Sequence, residues 1–298
     1  MTTAGDVLDL VRAPAALTVL GDTAVGAQVA AGGFSRRGWL LPLASVAIYS
    51  GGMALNDWAD RDVDAVERPE RPIPSGRVSP KRALAVAAGL GAIGLALAAA
   101  GGGRRGLAVA VPLVASVVAY DVVAKPTAAG PLAMAACRGL DVLLGAGGSA
   151  RALPAALAVA VHTAGVTALS RGEVHGGSGS DTALALVATG AAAASVDAIT
   201  PVGPVGSGTT EPVARLAGAA GSAAYLAAAL PGQLAAAQEP TPERVRDATR
   251  AGIGSVVPLQ AALVARAGGL ATAAGLMGVH ALIRLRGRKA RPGRGDVT

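Results

Sequence analysis

Residues 56–77 read Asn-Asp-Trp-Ala-Asp-Arg-Asp-Val-Asp-Ala-Val-Glu-Arg-Pro-Glu-Arg-Pro-Ile-Pro-Ser-Gly-Arg and follow an uncharged apolar run, 38–55. Carboxylates and guanidinium groups crowded at the mouth of a membrane helix are unfavourable unless they pair or hold a ligand. Asp57, Asp60 and Asp64 stand at i, i+3 and i+7. At about 100° per residue they share one helical face, flanked by Asn56, while Asp62 points away. Three carboxylates on one face repel one another without a cation, and hard oxygen ligands suit Mg2+. Arg68 and Arg71, just downstream, carry the planar fork that suits phosphate. The chemistry that fits is a Mg2+–diphosphate site at a membrane surface. A calcium loop opening at Asp60-x-Asp62-x-Asp64 would need Gly at its sixth position and Glu at its twelfth, where the chain has Ala65 and Arg71. That reading fails. The plain alternative is a solvated charged loop with a proline-rich turn.

Such a site needs a membrane bundle to position it. With 52% hydrophobic and 15% charged residues and a positive mean hydropathy, the 298-residue chain reads as an all-α polytopic membrane protein. Abundant Gly and Ala let membrane helices approach closely. Hydropathy predicts spans near 11–31, 38–56, 83–101, 106–121, 130–148, 153–170, 182–199, 213–231, 251–265 and 268–285. The segments 106–121 and 251–265 are short for a bilayer, and the longest polar stretches are 57–82 and 232–250. Cys137 is the single cysteine and excludes an intramolecular disulfide. Residues 1–11 hold Asp6 and Asp9 and no basic residue, unlike the start of a signal peptide. The net charge of +7 reads as basic cytoplasmic loops, not as a nucleic-acid surface. With the N-terminus inside, most Lys and Arg residues fall on the cytoplasmic side, and so does the segment 57–82.

The chain resembles the UbiA superfamily of intramembrane prenyltransferases. The resemblance is carried by Asn56-Asp57-x-x-Asp60-x-x-x-Asp64 and by Arg68-Pro-Glu-Arg-Pro-Ile-Pro-Ser-Gly76, and it covers roughly residues 8–200. The string Thr167–Gly177, with Cys137-Arg-Gly-Leu140 and Gly145, looks like the EboC-like branch of that superfamily. The resemblance implies one transmembrane prenyltransferase-like domain over 1–298, with a basic tail at 286–298. It implies about nine transmembrane helices around a central cavity, ten if 251–265 also spans. It further implies Mg2+ held by Asn56, Asp57, Asp60, Asp64 and Glu173, and catalysis by Asp57, Asp60, Asp64 and Glu173. Arg68, Arg71, Lys125, Arg138 and Ser170 are the implied substrate-binding residues. The implied partners are a prenyl diphosphate, an aromatic or lipophilic acceptor and membrane lipid.

One feature of the family pattern is degraded. Its second acidic motif falls on Ser170, Glu173 and Gly177, and only Glu173 keeps a carboxylate. Asp181 is close in sequence, beyond a Gly-rich stretch that leaves its position open. Elsewhere, Lys125 follows Tyr120-Asp121 and reads either as a diphosphate ligand or as a lysine snorkelling to headgroups. Arg138 is expected to pair with Asp141, Asp57 or a phosphate. Asp22 and Asp197 read as intramembrane acids, and His162 as a packed polar residue.

Two functions follow. The first is Mg2+-dependent transfer of a prenyl group from an allylic diphosphate to an aromatic or other electron-rich acceptor in the membrane. The second is a non-catalytic protein of the same fold that binds or transports an isoprenoid-like metabolite. They differ in whether Ser170, Glu173 and Asp181 converge on Asp57 and Asp60.

Overall fold

The computed structural model describes residues 2–12, 17–202 and 210–289. Of the basic tail expected at 286–298, residues 286–289 continue the last helix, and the rest lies outside the described residues. All regular structure among the described residues is helical: α1 (Ala4–Leu10), α2 (Leu17–Ala31), α3 (Leu40–Ala59), α4 (Arg61–Glu67), α5 (Pro80–Ala119), α6 (Gly130–Gly145), α7 (Leu153–Ser170), α8 (Gly179–Ala194), α9 (Glu211–Gln238), α10 (Pro242–Arg266) and α11 (Leu270–Lys289). Among the described residues, four helical stretches are long and apolar enough to cross a membrane: Pro80–Ala124, Ala150–Ser170, Glu211–Gln238 and Pro242–Arg266.

Helix α5 shows how the sequence makes two passes from one run. Ser79 accepts a hydrogen bond from the Arg82 amide and Pro80 fills the first turn, so the start is sharply set. Forty residues of straight helix would reach about 60 Å, twice a bilayer's hydrocarbon core. Instead Gly103 adopts φ 61° and ψ −148°, a conformation open to glycine, and the chain folds back. The level of the two arms is visible from α3: a Cβ at Gly51 would lie 3.0 Å from the Ala87 carbonyl, and one at Gly52 would lie 2.8 Å from Val117. The expected spans 83–101 and 106–121 are therefore the two arms of a hairpin packed on α3.

The second tight seam joins α2 to α6. A Cβ at Gly26 would come 1.9 Å from the Val142 carbonyl oxygen, and one at Gly145 2.2 Å from that of Thr23. Backbones touch here, which only glycine allows. One apolar core, with Val25, Val142, Val159, Tyr225, Leu259 and Leu263, joins α2, α6, α7, α9 and α10. Another, with Leu41, Ile48, Leu113 and Leu144, joins α3, α5 and α6.

Two expectations are corrected. The stretch 232–250 is helical except at Glu239-Pro240-Thr241, because Thr241 caps the Arg244 amide and Pro242 opens α10. Its charges are exposed while Val245, Ala248 and Thr249 are buried at helical spacing, so mean polarity concealed an amphipathic period. Segment 251–265 is thus part of a 25-residue helix, not a short one. Asp197 is exposed in a 3-10 turn, Ser195–Ala198, at the end of α8; it is not buried among the helices.

At the start of the chain, α1 is tied to the loop before α5. Arg77 Nη1 is 2.9 Å from both Asp6 and Asp9, and the Thr3–Asp6 pair forms a reciprocal cap. Hydrogen bonds from the Thr3 backbone and hydroxyl, with Arg77 adding to them, hold the Asp6 carboxyl down at about 2 against an ordinary 3.8. A depressed carboxyl contributes stability above its unfolded value and loses it as pH falls toward the folded one. Residues 4–10 are therefore expected to keep their amide protection above about pH 4 and to lose it progressively toward about 2. Hydrogen exchange across this range checks the expectation, and protection independent of pH would contradict it.

Candidate active site

The acidic face sits where α3 gives way to α4. The hydrogen-bond ladder does not break there: the Asp60 amide donates to Asn56 at 2.9 Å, and the Asp64 amide donates to Asp60 at 2.8 Å. Asp57 and Asp64 are both 2% exposed and meet on one guanidinium nitrogen. Arg71 Nη1 lies 2.6 Å from Asp64 Oδ2 and 3.2 Å from Asp57 Oδ1. Arg68 Nη1 stands 3.9 Å from Asp64. Asp60 turns the other way and pairs with Lys125. Asp62 points outward, paired only with Arg61.

Local chain geometry supplies these partners. The Pro-rich segment folds so that Ser75 returns its amide and hydroxyl to the Arg71 carbonyl, Val78 donates to Pro72, and Gly76 takes φ 75°. Its three prolines have no amide to satisfy, which suits a turn of this tightness. Lys125 follows a π turn, Tyr120–Ala124, in which its amide bonds Tyr120 five residues back. The wider turn at the end of α5 re-aims the residues after it.

Two further residues complete the cluster. Arg12 Nη2 is 2.7 Å from Asp57 Oδ1 and reaches Asn56 at 3.4 Å. Asn56 Nδ2 in turn donates to Asp121 Oδ1 at 3.0 Å. Neither Arg12 nor Asp121 stood among the expected site residues. The signals were faint: Arg12 is the first basic residue of the chain, and Asp121 precedes Lys125 by one helical turn.

The cluster forms one end of a cavity of about 640 Å3 enclosed by α2, α3, α5, α6, α7 and α10. Asn56, Asp60, Arg68, Arg71 and Lys125 line it, and so do Ser170 and Glu173 from the end of α7. Asp57 and Asp64 stand behind Arg12 and Arg71, off the cavity wall. Asp181 does not line the cavity: its carboxylate accepts from Ser178 at 2.7 Å, and Ser178 in turn caps α8 by accepting from the Asp181 amide. Ser170 returns its hydroxyl to the Thr167 carbonyl, and the Glu173 carbonyl is held by Arg246.

Deeper in, Arg138 lines the cavity but its partner differs from the expected ones. Its Nε is 2.9 Å from Asp22, which also accepts from Gln260 at 2.7 Å. The backbone contact of α2 with α6 brings Asp22 within reach, while Asp141 turns to α3 and accepts from Ser45 at 2.8 Å. His162 is buried against Tyr225, 2.8 Å from its hydroxyl, as a packed polar residue.

The donor set at the mouth is all oxygen, which is what Mg2+ requires. Among the described residues no three acids stand together ready to hold an ion, since Arg71 occupies the point on which Asp57 and Asp64 converge. That guanidinium is a cationic stand-in: the two carboxylates already share one positive centre.

A sequence profile described as the UbiA prenyltransferase family matches residues 19–231. A digeranylgeranylglyceryl phosphate synthase of Methanopyrus kandleri is 44% identical over 80 residues, 27% of this chain and 28% of that protein. The match thus spans under a third of the relative's length. An apo structure of a UbiA homolog from Aeropyrum pernix K1 superposes with a TM-score of 0.64 at 21% identity, covering 84% of this chain and 96% of that one. A UbiA homolog from Archaeoglobus fulgidus, bound to DMAPP and Mg2+, gives 0.60 at 16% identity, covering 87% and 99%. At these identities the likeness to solved structures is one of fold.

Removing Arg71 leaves two buried carboxylates facing each other. Arg71→Ala is expected to destabilise the protein by about 3 kcal/mol, the scale of a broken buried pair. Millimolar Mg2+ is expected to restore part of that loss, more than it stabilises the parent chain. Thermal unfolding in detergent reads both effects; a loss below about 1 kcal/mol, typical of exposed pairs, would contradict the geometry.

Proposed function

The chain belongs to the UbiA prenyltransferase family, and on that premise we propose that it transfers a prenyl group from an allylic prenyl diphosphate to an aromatic or other electron-rich acceptor inside the membrane. One observation carries the reading: Asp57, Asp60 and Asp64 are interlocked with Arg12, Arg68, Arg71 and Lys125, with Asp121 held beside them by Asn56, at one end of an otherwise largely apolar cavity. Four acids stand against four bases. A magnesium diphosphate allows both sets to trade partners with little change in net charge: the acids gain the metal and the bases gain phosphate oxygens.

Asn56, Asp57, Asp60 and Asp64 would hold Mg2+, and Glu173 would stand off the metal. When bound, the metal supplies positive charge to the diphosphate oxygens. Arg68, Arg71, Lys125 and Arg12 offset the charge that develops on the leaving diphosphate as the C1–O bond breaks and its electron pair departs. The allylic cation is then sheltered by apolar walls. Two of the chain's three tyrosines, Tyr49 and Tyr120, line the same cavity and offer π faces to a cation. The acceptor's electron pair forms the new bond to C1, and its proton passes to the Glu173 carboxylate. A cytoplasm-facing mouth agrees with the Lys and Arg bias of the loops.

Asp57→Ala and Asp60→Ala are each expected to lower Mg2+-dependent pyrophosphate release from geranyl, farnesyl or geranylgeranyl diphosphate by at least a hundredfold, with the protein still inserted in membranes. Glu173→Gln is expected to slow transfer by about a hundredfold, the lower end of the range for loss of a general base. Turnover unchanged in Asp57→Ala would defeat the assignment. Mg2+-dependent binding of these donors without release would favour the carrier instead.

A further inference from the structure

The end of the bundle opposite the acidic mouth carries positive charge without partners. Helix α3 runs from Leu40 at that end to Asp57 at the mouth, so Arg36 and Arg37 precede it on the far side. The α5 hairpin reverses at Gly103 and presents Arg104 and Arg105 there. A Cβ at Gly101 would lie 3.2 Å from the Arg37 carbonyl oxygen, and one at Gly148 3.2 Å from that of Arg105. Three chain reversals therefore touch, and the third, between α6 and α7, adds Arg151. All five arginines are exposed, and among the described residues none forms an ion pair. Of the acids at this end, Glu211 is taken by Arg215 and Arg266, and Asp197 stands apart in the turn after α8. At the mouth, by contrast, Arg12, Arg71, Arg77 and Lys125 each hold a carboxylate.

Two tryptophans set the depth of this cluster. Trp39 and Trp58 bracket α3, 19 residues apart, about 28 Å of helical rise. A bilayer's hydrocarbon core is about 30 Å thick, and tryptophan favours its two boundaries. Trp39 is 62% exposed and stacks on Phe34 with ring centroids 4.8 Å apart; Leu43, one turn further along α3, is 54% exposed. An outward leucine just inside an outward tryptophan marks a helix entering lipid. Arg36 and Arg37, and through the touching reversals Arg104 and Arg105, thus stand just outside the apolar core, at the level of lipid phosphates. Lys and Arg normally gather in cytoplasmic loops, the side to which the mouth is assigned. An unpaired arginine cluster at the opposite end runs against that bias and needs its own reason.

We propose that Arg36, Arg37, Arg104 and Arg105, with Arg151 at the edge, form a docking surface for the headgroup of an anionic phospholipid in the leaflet opposite the mouth. The guanidinium fork matches phosphate oxygens, and basic clusters at the membrane surface attract anionic lipids. A zwitterionic lipid presents the same phosphate, but its own ammonium offsets the attraction, so the surface selects headgroups of net negative charge. A lipid seated there lays its chains along Leu43 and bridges the α2–α3 loop to the hairpin tip. The inference is independent of the prenyl-transfer reading, because none of these arginines lines the central cavity.

Trp39 reports on the surface directly, since Trp58→Phe leaves it as the one tryptophan in the full-length chain. That variant is placed in phosphatidylcholine vesicles holding a minor fraction of brominated phosphatidylglycerol or, as control, brominated phosphatidylcholine. From the quenching of Trp39 fluorescence, phosphatidylglycerol is expected to associate at least fivefold more strongly. The preference is expected to shrink in 1 M salt, where the Debye length is about 3 Å. It is expected to fall within twofold when Arg36→Gln, Arg37→Gln, Arg104→Gln and Arg105→Gln are combined. Equal quenching by the two lipids would overturn the proposal, as would a preference that survives the four substitutions. Relief of the quenching by millimolar glycerol phosphate would assign the arginines to a soluble anion and overturn the lipid. Thermal unfolding in detergent, with both tryptophans present, gives a second reading. Added phosphatidylglycerol is expected to raise the midpoint of the parent chain and not that of the fourfold variant. Equal rises in both, or a fourfold variant already less stable without lipid, would count against the surface.

Discussion

Burying Asp57 and Asp64 at the end of a membrane helix is the constraint on which the rest of the site depends. Two carboxylates that are 2% exposed require compensating charge, since an isolated buried ion is strongly disfavoured. The chain meets this with Arg71 between them and Arg12 beside them, and each of those arginines requires its own scaffold. Arg71 is delivered by the proline-rich turn closed by Ser75, and Arg12 by the end of the α1 segment. Lys125 needs the π turn at the end of the α5 hairpin, and that hairpin needs glycine at 103 to fold back against α3. Much of the mouth end of the bundle follows from neutralising one acidic face.

The same pairing explains how the site can be both stable and receptive. Cations drawn from separate segments, rather than from α3 and α4 themselves, can exchange carboxylates for phosphate oxygens without dismantling the helix that carries the acids. The asymmetry of the cavity then becomes intelligible. The ion pairs are confined to the mouth, where Tyr120 also stands, apolar walls and Tyr49 follow, and further polar groups line the inner end. A reaction that cleaves a carbon–oxygen bond heterolytically and protects the resulting cation from water has use for that order of environments.

Much of this was legible in the sequence, because its chemistry is local. The acids and arginines of 56–77 lie within a few helical turns of one another, and their types and spacing already define the donor set. The all-helical architecture was legible for the same reason, including two segments that are the arms of a single hairpin. What was not legible depends on contacts between distant segments. Arg12 reaches Asp57, and Asp121 reaches Asn56, across separations that carry no periodic signal. Arg138 found Asp22 rather than Asp141 because Gly26 and Gly145 allow α2 and α6 to touch, and close approach is not written at Arg138 itself. The start of α10 was misjudged by average polarity, although its buried positions keep a helical period.

The most direct test of the central claim is equilibrium binding of farnesyl thiolodiphosphate to the purified protein as Mg2+ is titrated from zero. Affinity that requires Mg2+, disappears with a chelator and is lost when Asp57 and Asp64 are both replaced by Asn is the expected result. Tight binding that is indifferent to Mg2+ would contradict it, because the arginines and Lys125 alone would then be the diphosphate site and the acidic face only their counter-charge.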